Sequence, residues 1–125
     1  MHSKLVHKAT KDTITVSLVS DGGKNCVLLI TGTIESEDDS VFDIINTEKL
    51  SKSPPNIRLD SVVFMIETGL KIMLQYRDQP FVLPLEGRSK VDLGWVGGIV
   101  GREIDFVCTG TGSFFICLDI SKMGV

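Results

Sequence analysis

The amino-acid sequence predicts an all-β protein, an antiparallel β-sandwich of the jelly-roll-like or immunoglobulin-like kind, folded as a single domain. Short segments alternate apolar and polar residues with the period of two that is typical of half-buried strands. Turn residues separate these segments at close intervals, with no helix-length amphipathic segment between them. The 125 residues are enough for one hydrophobic core. We therefore expect an N-terminal arm or edge strand over residues 1–12 and the β-sandwich domain over residues 13–125.

The composition argues against several classes of function. The formal net charge is −3, and the 13 Lys and Arg residues are scattered along the chain, which disfavours nucleic-acid binding. No stretch approaches the roughly 18 to 20 apolar residues that cross a bilayer, so we expect neither a membrane span nor an export signal. The three cysteines lie in apolar runs, where a free thiol behaves as a small buried hydrophobe. They indicate a reducing compartment at synthesis.

The N-terminal segment predicts a strand or arm. Residues 1–12 are basic and polar around Leu5 and Val6, which are candidate contact residues for a partner protein. His2 and His7 suggest a metal site only weakly, because a solvated arm that orders on a partner explains the same residues.

The next segments predict two strands. Residues 13–20 (TITVSLVS) alternate as a half-buried strand, and Asp21-Gly22-Gly23 is a strong turn signal. Residues 26–34 are apolar on both faces, which predicts a central or covered strand.

Two irregular connections follow. The acidic residues 35–40 lack the ligand order of an EF-hand loop, so we expect a solvated loop rather than a calcium site. Residues 47–56 include Pro54 and Pro55, which end any helical turn and predict the longest irregular connection in the chain.

The middle of the chain predicts successive hairpins. Strand patterns over residues 57–67, 71–76 and 81–86 are separated by turns at Thr68-Gly69 and at residues 77–80. Pro84 cannot donate a ladder hydrogen bond, so its strand belongs at a sheet edge or contains a bulge.

The glycine-rich residues 87–101 do not form a phosphate-binding motif. They lack the closing Gly-Lys-Ser/Thr of a Walker A loop, and no helix follows as a dinucleotide fingerprint requires. We expect a flexible or tightly turned excursion that presents Trp95 and Ile99. Tryptophan is enriched at contact hot spots, so Trp95 is a candidate contact residue, with a core position as the alternative.

The final segment predicts a β-hairpin over residues 103–121 with its turn at Gly110-Thr111-Gly112. In such a hairpin Cys108 lies opposite Phe114 or Phe115, so a disulfide with Cys117 is not expected. Phe115 falls on the face opposite the predicted core and is a further candidate contact residue.

The residue types argue against an enzyme. Both histidines are in the first seven residues, and neither a nucleophile with its base nor a metal-ligand spacing is present, so we expect no catalytic residue, cofactor or metal. Asp60, Asp92, Asp105 and Asp119 alternate with apolar residues and are expected on solvated strand faces. By contrast, CVLLI, VVFMI and FFICLDI carry large apolar residues on both faces, which predicts oligomerisation or docking.

Five segments carry a resemblance that covers about the whole chain: KDTITVSLVSDG, SVFDIINTEKLSKSP, NIRLDSVVFMIETGLKIMLQY, FVLPLEGRSKVDLGW and EIDFVCTGTGSFFICLDISK. In this order they resemble small virion-associated proteins of tailed bacteriophages, especially those of marine and cyanobacterial hosts. Residues 43–50, 57–76, 81–92 and 104–120 correspond to successive segments of such proteins. Residues 35–40 look like an insertion, and Gly97-Gly98-Ile99 replaces a shorter loop.

The resemblance implies a structural protein of the virion, made in the host cytoplasm. It would serve as a capsid decoration or cement protein, or as a neck or tail appendage. Its partners would be other virion proteins and further copies of itself, without nucleic acid or membrane. The alternative is a carbohydrate- or ligand-binding β-sandwich module, for which one Trp and one Tyr form a sparse aromatic platform.

Overall fold

The computed structural model describes residues 2–9, 12–35, 40–47, 50 and 52–124, with the side chains of all of these except residues 2–9. The described residues form eleven strands, and a 3-10 turn lies at Gly94–Val96. The strands are β1 (His2–Ala9), β2 (Asp12–Asp21), β3 (Asn25–Ile34), β4 (Ser40–Asn46), β5 (Asn56–Ile66), β6 (Leu70–Tyr76), β7 (Val82–Leu85), β8 (Arg88–Asp92), β9 (Ile99–Gly101), β10 (Glu103–Gly110) and β11 (Gly112–Met123).

The strands build two antiparallel sheets. The larger sheet has the order β1-β2-β3-β11-β5-β8, with β9 also paired to β5. The smaller sheet has the order β4-β10-β6-β7. The predicted all-β antiparallel sandwich is therefore confirmed.

The core lies between the sheets and comes from alternate residues of the long strands. Ile72 and Leu74 of β6 and Ile116 and Leu118 of β11 are fully buried. Phe106 of the smaller sheet meets Phe114 of the larger one edge to face, with ring centroids 6.4 Å apart. Burying each such side chain stabilises the fold by roughly 1.5 to 3 kcal/mol. The burial of side chains between the sheets is therefore the main force that holds them together.

The predicted hairpin over residues 103–121 is wrong. β10 pairs with β4 and β6 in the smaller sheet, whereas β11 pairs with β3 and β5 in the larger one. Gly110-Thr111-Gly112 is therefore an arch that crosses from one sheet to the other. Cys108 is aligned with Ile72 of β6, not with a residue of β11.

The hairpin predicted at Thr68-Gly69 is also wrong: this turn is a second arch, since β5 belongs to the larger sheet and β6 to the smaller one. The two arches lie side by side, and the Thr111 N–H donates to the Gly69 carbonyl oxygen at 3.2 Å. The Glu67 N–H donates to the carbonyl oxygen of Ser113 at 3.0 Å. Gly110 has φ +90°, and a Cβ there would collide with the Gly69 carbonyl oxygen. Glycine is thus required by both conformation and space.

Other turn and strand predictions are confirmed. β2 and β3 form a hairpin across Gly22-Gly23, and β6 and β7 form one across residues 77–80. β7, which contains Pro84, is an edge strand of the smaller sheet, and β3 lies inside the larger sheet. Residues 36–39, 48, 49 and 51 of the two predicted irregular connections lie outside the described residues.

The predicted glycine-rich excursion is more ordered than expected. It contains β8, the 3-10 turn and β9, because β5 is long enough to pair with β8 near one end and with β9 near the other. Gly101 of β9 leaves the space that the Tyr76 ring fills. The Tyr76 hydroxyl donates to the Ile99 carbonyl oxygen at 2.7 Å, which fixes β9 to the sandwich.

The prediction that Asp105 is solvated is also wrong, because Asp105 is 4% exposed. Arg77 covers it and donates two hydrogen bonds to its carboxylate, at 2.7 and 3.1 Å. Glu103 lies 3.0 Å from the same guanidinium. These hydrogen bonds and carboxylates raise the pKa of Arg77. Asp60 is half-buried and accepts from Arg58 and Ser121, while Asp92 and Asp119 are exposed as predicted.

We predict that Gly110→Ala destabilises the protein by roughly 3 kcal/mol or more, because backbone strain and a collision add at this position. Gly87→Ala is the matched control, since Gly87 also has a positive φ of +71° but has open space around its Cβ position. Its cost should be the strain alone, about 1 to 2 kcal/mol. Urea unfolding followed by circular dichroism measures both. Equal losses in the two variants would contradict the close contact between the arches.

Candidate protein-docking surfaces

The outer face of the larger sheet carries an apolar patch formed by Val63, Met65 and Phe115. Val63 and Met65 alternate with the buried Val62, Phe64 and Ile66 of β5, so they point away from the core. Phe115 of β11 is aligned with Met65, and Cys117 with Val63. Val63 and Phe115 are each 40% exposed and Met65 is 53% exposed. The strand register therefore gathers isolated apolar positions into one continuous surface.

A shallow groove of about 270 Å³ opens on the apolar patch. Arg88 and Lys90 of β8 line its edge, because β8 aligns Arg88 with Met65 and Lys90 with Val63. The groove thus has an apolar floor and a cationic edge. Such a site suits an aromatic side chain, which gains from apolar burial and from cation–π attraction together.

Trp95 lies just beyond the end of β8, the strand that forms the edge of the groove. It is 84% exposed and sits on the 3-10 turn that follows β8. The preceding Leu93 is buried, and its N–H donates to the Asp60 carbonyl oxygen at 2.9 Å. Asp92 Oδ1 accepts from the Gly94 N–H at 2.8 Å. These contacts fix the backbone of the turn and leave the indole in solvent.

Two glycines close this turn. Gly97 and Gly98 have φ of +81° and +78°, a region that favours glycine. The Gly98 N–H donates to the Leu93 carbonyl oxygen at 2.8 Å, and the Arg58 side chain packs where a Cβ of Gly98 would lie. The glycine-rich composition therefore serves a compact turn.

The outer face of the smaller sheet carries a second uncovered surface, an apolar row of Val41, Val107, Met73 and Pro84. The register aligns these four residues across all four strands of the sheet. Val41 is 62% exposed and Met73 is 39% exposed. Both outer faces of the sandwich therefore present apolar side chains.

The structure separates the predicted contact residues. Trp95 and Phe115 are both exposed, Trp95 in the turn between β8 and β9 and Phe115 on the outer face of the larger sheet. Ile99 is half-buried and packs against the core. Leu5 and Val6 lie in the edge strand β1, and their side chains are outside the described residues. A role in contacts stays a prediction for all of them.

Val63, Met65, Arg88 and Lys90 are surface residues that the sequence analysis did not single out. The signal for Val63 and Met65 was the run VVFMI, in which both strand faces are apolar. What the sequence could not give was the pairing of β5 with both β8 and β11, which brings these side chains together.

Ionisable groups among the described residues are engaged in structural contacts at several places. The fully buried Lys122 side chain pairs with Asp21 and donates to the Gly22 carbonyl oxygen at 2.6 Å.

Within the described part of the chain, no three His, Cys, Asp or Glu side chains come together as a metal site. The side chains of His2 and His7 lie outside that part. No described helix is long and apolar enough to cross a membrane.

Comparisons with known proteins give no assignment of family. No family model matches the chain, and no curated protein matches it. Among solved structures, the chain is similar to a cupin superfamily protein from Desulfitobacterium hafniense DCB-2, with 12% identity and a TM-score of 0.40 over 93% of this chain and 83% of that one. It is also similar to the polyketide cyclase RemF from Streptomyces resistomycificus, with 12% identity and a TM-score of 0.35 over 90% and 66% of the two chains. At these TM-scores neither likeness bears on function.

We predict that the three thiols differ in reactivity. Burial raises the pKa of Cys26 to about 11 and that of Cys108 to about 12. At pH 8 only about one part in a thousand of Cys26 is thiolate, and the thiolate is the form that reacts. Cys117, half-buried beside the apolar patch, should react first with iodoacetamide, although burial and Asp119 also raise its pKa.

Mass spectrometry of the labelled, folded protein checks this order, with the urea-unfolded chain as the control that labels at all three positions. Labelling of Cys108 as fast as Cys117 in the folded protein would contradict the burial that the structure assigns to β10.

Proposed function

We propose that this chain is a non-enzymatic structural protein of a tailed bacteriophage virion. It acts by oligomerising and by docking on other virion proteins, as capsid decoration or cement or as a neck or tail appendage. The observation that carries the proposal is the presence of apolar side chains on both outer faces of one small sandwich. Water normally meets at least one face of an antiparallel sheet, so two apolar outer faces favour a molecule that is covered by partners.

The build of the sandwich supports a mechanical role. The interlocked core and the paired arches hold the two outer faces at a fixed distance, so the docking surfaces need no rearrangement before they bind. Each surface is small and would bind weakly alone. Repetition over a symmetric lattice turns many weak contacts into stable attachment.

The apolar row suits contact with a broad protein surface. It runs straight across the smaller sheet from Val41 on one edge strand to Pro84 on the other. A straight row of exposed side chains on one face of a sheet suits a flat lattice surface better than it suits a small molecule. The resemblance of the chain's element order to virion-associated proteins supports the same choice of partner.

A carbohydrate- or ligand-binding module is the second candidate, and the exposure of Trp95 favours it. An indole can stack on a sugar ring, but sugar binding also needs polar groups that converge beside the ring. The nearest carboxylate in sequence, Asp92, already accepts a hydrogen bond from the turn's backbone. We therefore rank this candidate second.

We predict that the chain is present in many copies in purified virions from the infection that produces it. Quantitative mass spectrometry of gradient-purified particles measures the copy number. Absence from the particles would refute the proposed function.

We also predict that Met73→Glu lowers incorporation into particles by at least about tenfold, because it places a charge in the centre of the apolar row. Gln79→Glu, in the exposed turn between β6 and β7, adds the same charge away from the row and should be incorporated like the unaltered protein. Equal incorporation of the two variants would show that the row does not face the particle.

A further inference from the structure

The exposure of Trp95 is not explained by the fold. Its side chain is 84% exposed, yet buried Leu93 and the hydrogen bonds of Asp60 and Asp92 hold its turn in place. A large aromatic side chain that stays in water adds little to folding. An exposed aromatic side chain on a turn whose backbone is already fixed has the properties of a binding anchor, because little backbone freedom is lost when a partner buries it.

The chain also contains a site of the right size for an indole. An apolar cavity of about 150 Å³ holds a benzene ring. The groove over the apolar patch has a volume of about 270 Å³, which is enough for the two fused rings of tryptophan. Its edge carries Arg88 and Lys90, and tryptophan is the aromatic side chain that attracts cations most strongly.

The charges along β8 are self-complementary. Arg88 and Lys90 make one end of the strand basic, whereas Asp92 makes the other end acidic, and all three are exposed. Two copies of such a strand that run in opposite directions bring the basic end of each against the acidic end of the other. The same reversal brings the Trp95 end of each copy over the groove end of its partner.

We infer that the partner of this surface is a second copy of the chain, and that Trp95 of each copy fills the groove formed by Val63, Met65 and Phe115 of the other. The two larger sheets then face each other across a two-fold axis that crosses β8 near Val91. This inference rests on the proposed function, since it names one partner of the oligomer that the function requires.

The strand register supports this placement of the axis. Lys90 and Asp92 are adjacent outward positions on β8, aligned with Val63 and Ser61 of β5. An axis between them sets Asp92 of one copy against Lys90 of the other. Trp95 follows Asp92 along the chain and Arg88 precedes Lys90, so the same rotation brings the Trp95 turn of one copy toward Arg88 and Met65 of the other. Every contact occurs twice in such an isologous interface.

The single tryptophan of the chain makes the inference directly measurable. Its fluorescence should be that of a solvated indole in dilute protein and should shift to shorter wavelength as the concentration rises. The shift should follow the doubling of mass measured by light scattering. A chain that stays monomeric with solvated Trp95 emission at high micromolar concentration overturns the inference.

Trp95→Ala should weaken dimerisation by at least about 100-fold, because two anchors are lost and each contributes roughly tenfold or more. Met65→Ser combined with Phe115→Ser keeps the tryptophan and should leave its emission solvated at all concentrations. Val41→Ser, which changes an exposed apolar residue of the smaller sheet, is the control that should dimerise normally. A dimer that is unaffected by Trp95→Ala also overturns the inference. Unchanged urea midpoints, measured at concentrations at which the unaltered chain is monomeric, show that the variants fold.

Charge reversal tests the orientation. Lys90→Glu should weaken the dimer about tenfold, since it sets a carboxylate against Asp92 of the other copy. Adding Asp92→Asn should recover part of that loss, because asparagine keeps the oxygen that accepts from Gly94 but removes the repelling charge. Lys71→Glu on the smaller sheet is the matched control. Absence of any difference between Lys90→Glu and Lys71→Glu excludes the antiparallel arrangement.

These measurements on the purified chain are independent of particle composition. A monomeric chain that is nevertheless abundant in virions refutes the inference and keeps the proposed function. A Trp95-dependent dimer that is absent from virions refutes the proposed function and keeps the interface.

Discussion

The contact between the two arches is the constraint on which the rest of the structure depends. Because β5 pairs with β11 in one sheet and β6 pairs with β10 in the other, both connections must cross the sandwich at the same place. They fit side by side only because Gly110 has no side chain where the Gly69 carbonyl oxygen lies. The crossing puts Phe106 and Phe114 in different sheets, where their rings meet and close the core.

The arches also determine what lies on the outside. With β5 placed between β11 and β8, its outward residues Val63 and Met65 are flanked by Phe115 on one side and by Arg88 and Lys90 on the other. The remaining length of β5 pairs with β9, so the chain between β8 and β9 has to turn within six residues. That short turn is what brings Trp95 to the surface. The apolar patch and the exposed indole thus follow from one long strand and its neighbours.

Local sequence determined the long strands and the true hairpins well, but not the short strands β8 and β9 or the sheet to which each strand belongs. Alternating residues identify a strand, and Asp21-Gly22-Gly23 or Pro84 acts through its own backbone, so a local pattern suffices. A three-residue turn with two glycines, by contrast, fits a hairpin and an arch equally well. The choice at Gly110-Thr111-Gly112 is made by which distant strands pair, and that information is not local.

The same limit applies to the surface. Alternation places Asp105 on the outer face of its strand, but it cannot show that Arg77 from a different turn covers the carboxylate. The enrichment of tryptophan at contact sites identified Trp95 as a candidate contact residue, and the alternation of strand faces identified Phe115. Neither pattern could show that Met65 lies between Phe115 and Arg88, because the pairing of β5 with β8 and β11 is not a local feature of the sequence.

The two apolar surfaces have a joint consequence if the larger sheets of two copies face each other. In a stack of four sheets the two smaller ones are outermost, so the apolar rows of the dimer point in opposite directions. A monomer with one row could only coat a surface, whereas a dimer with two opposed rows can join two neighbouring surfaces. Joining is what a cement protein does. Under the proposed function, the orientation of the dimer, more than the chemistry of either surface, would therefore decide whether this chain decorates a lattice or holds its parts together.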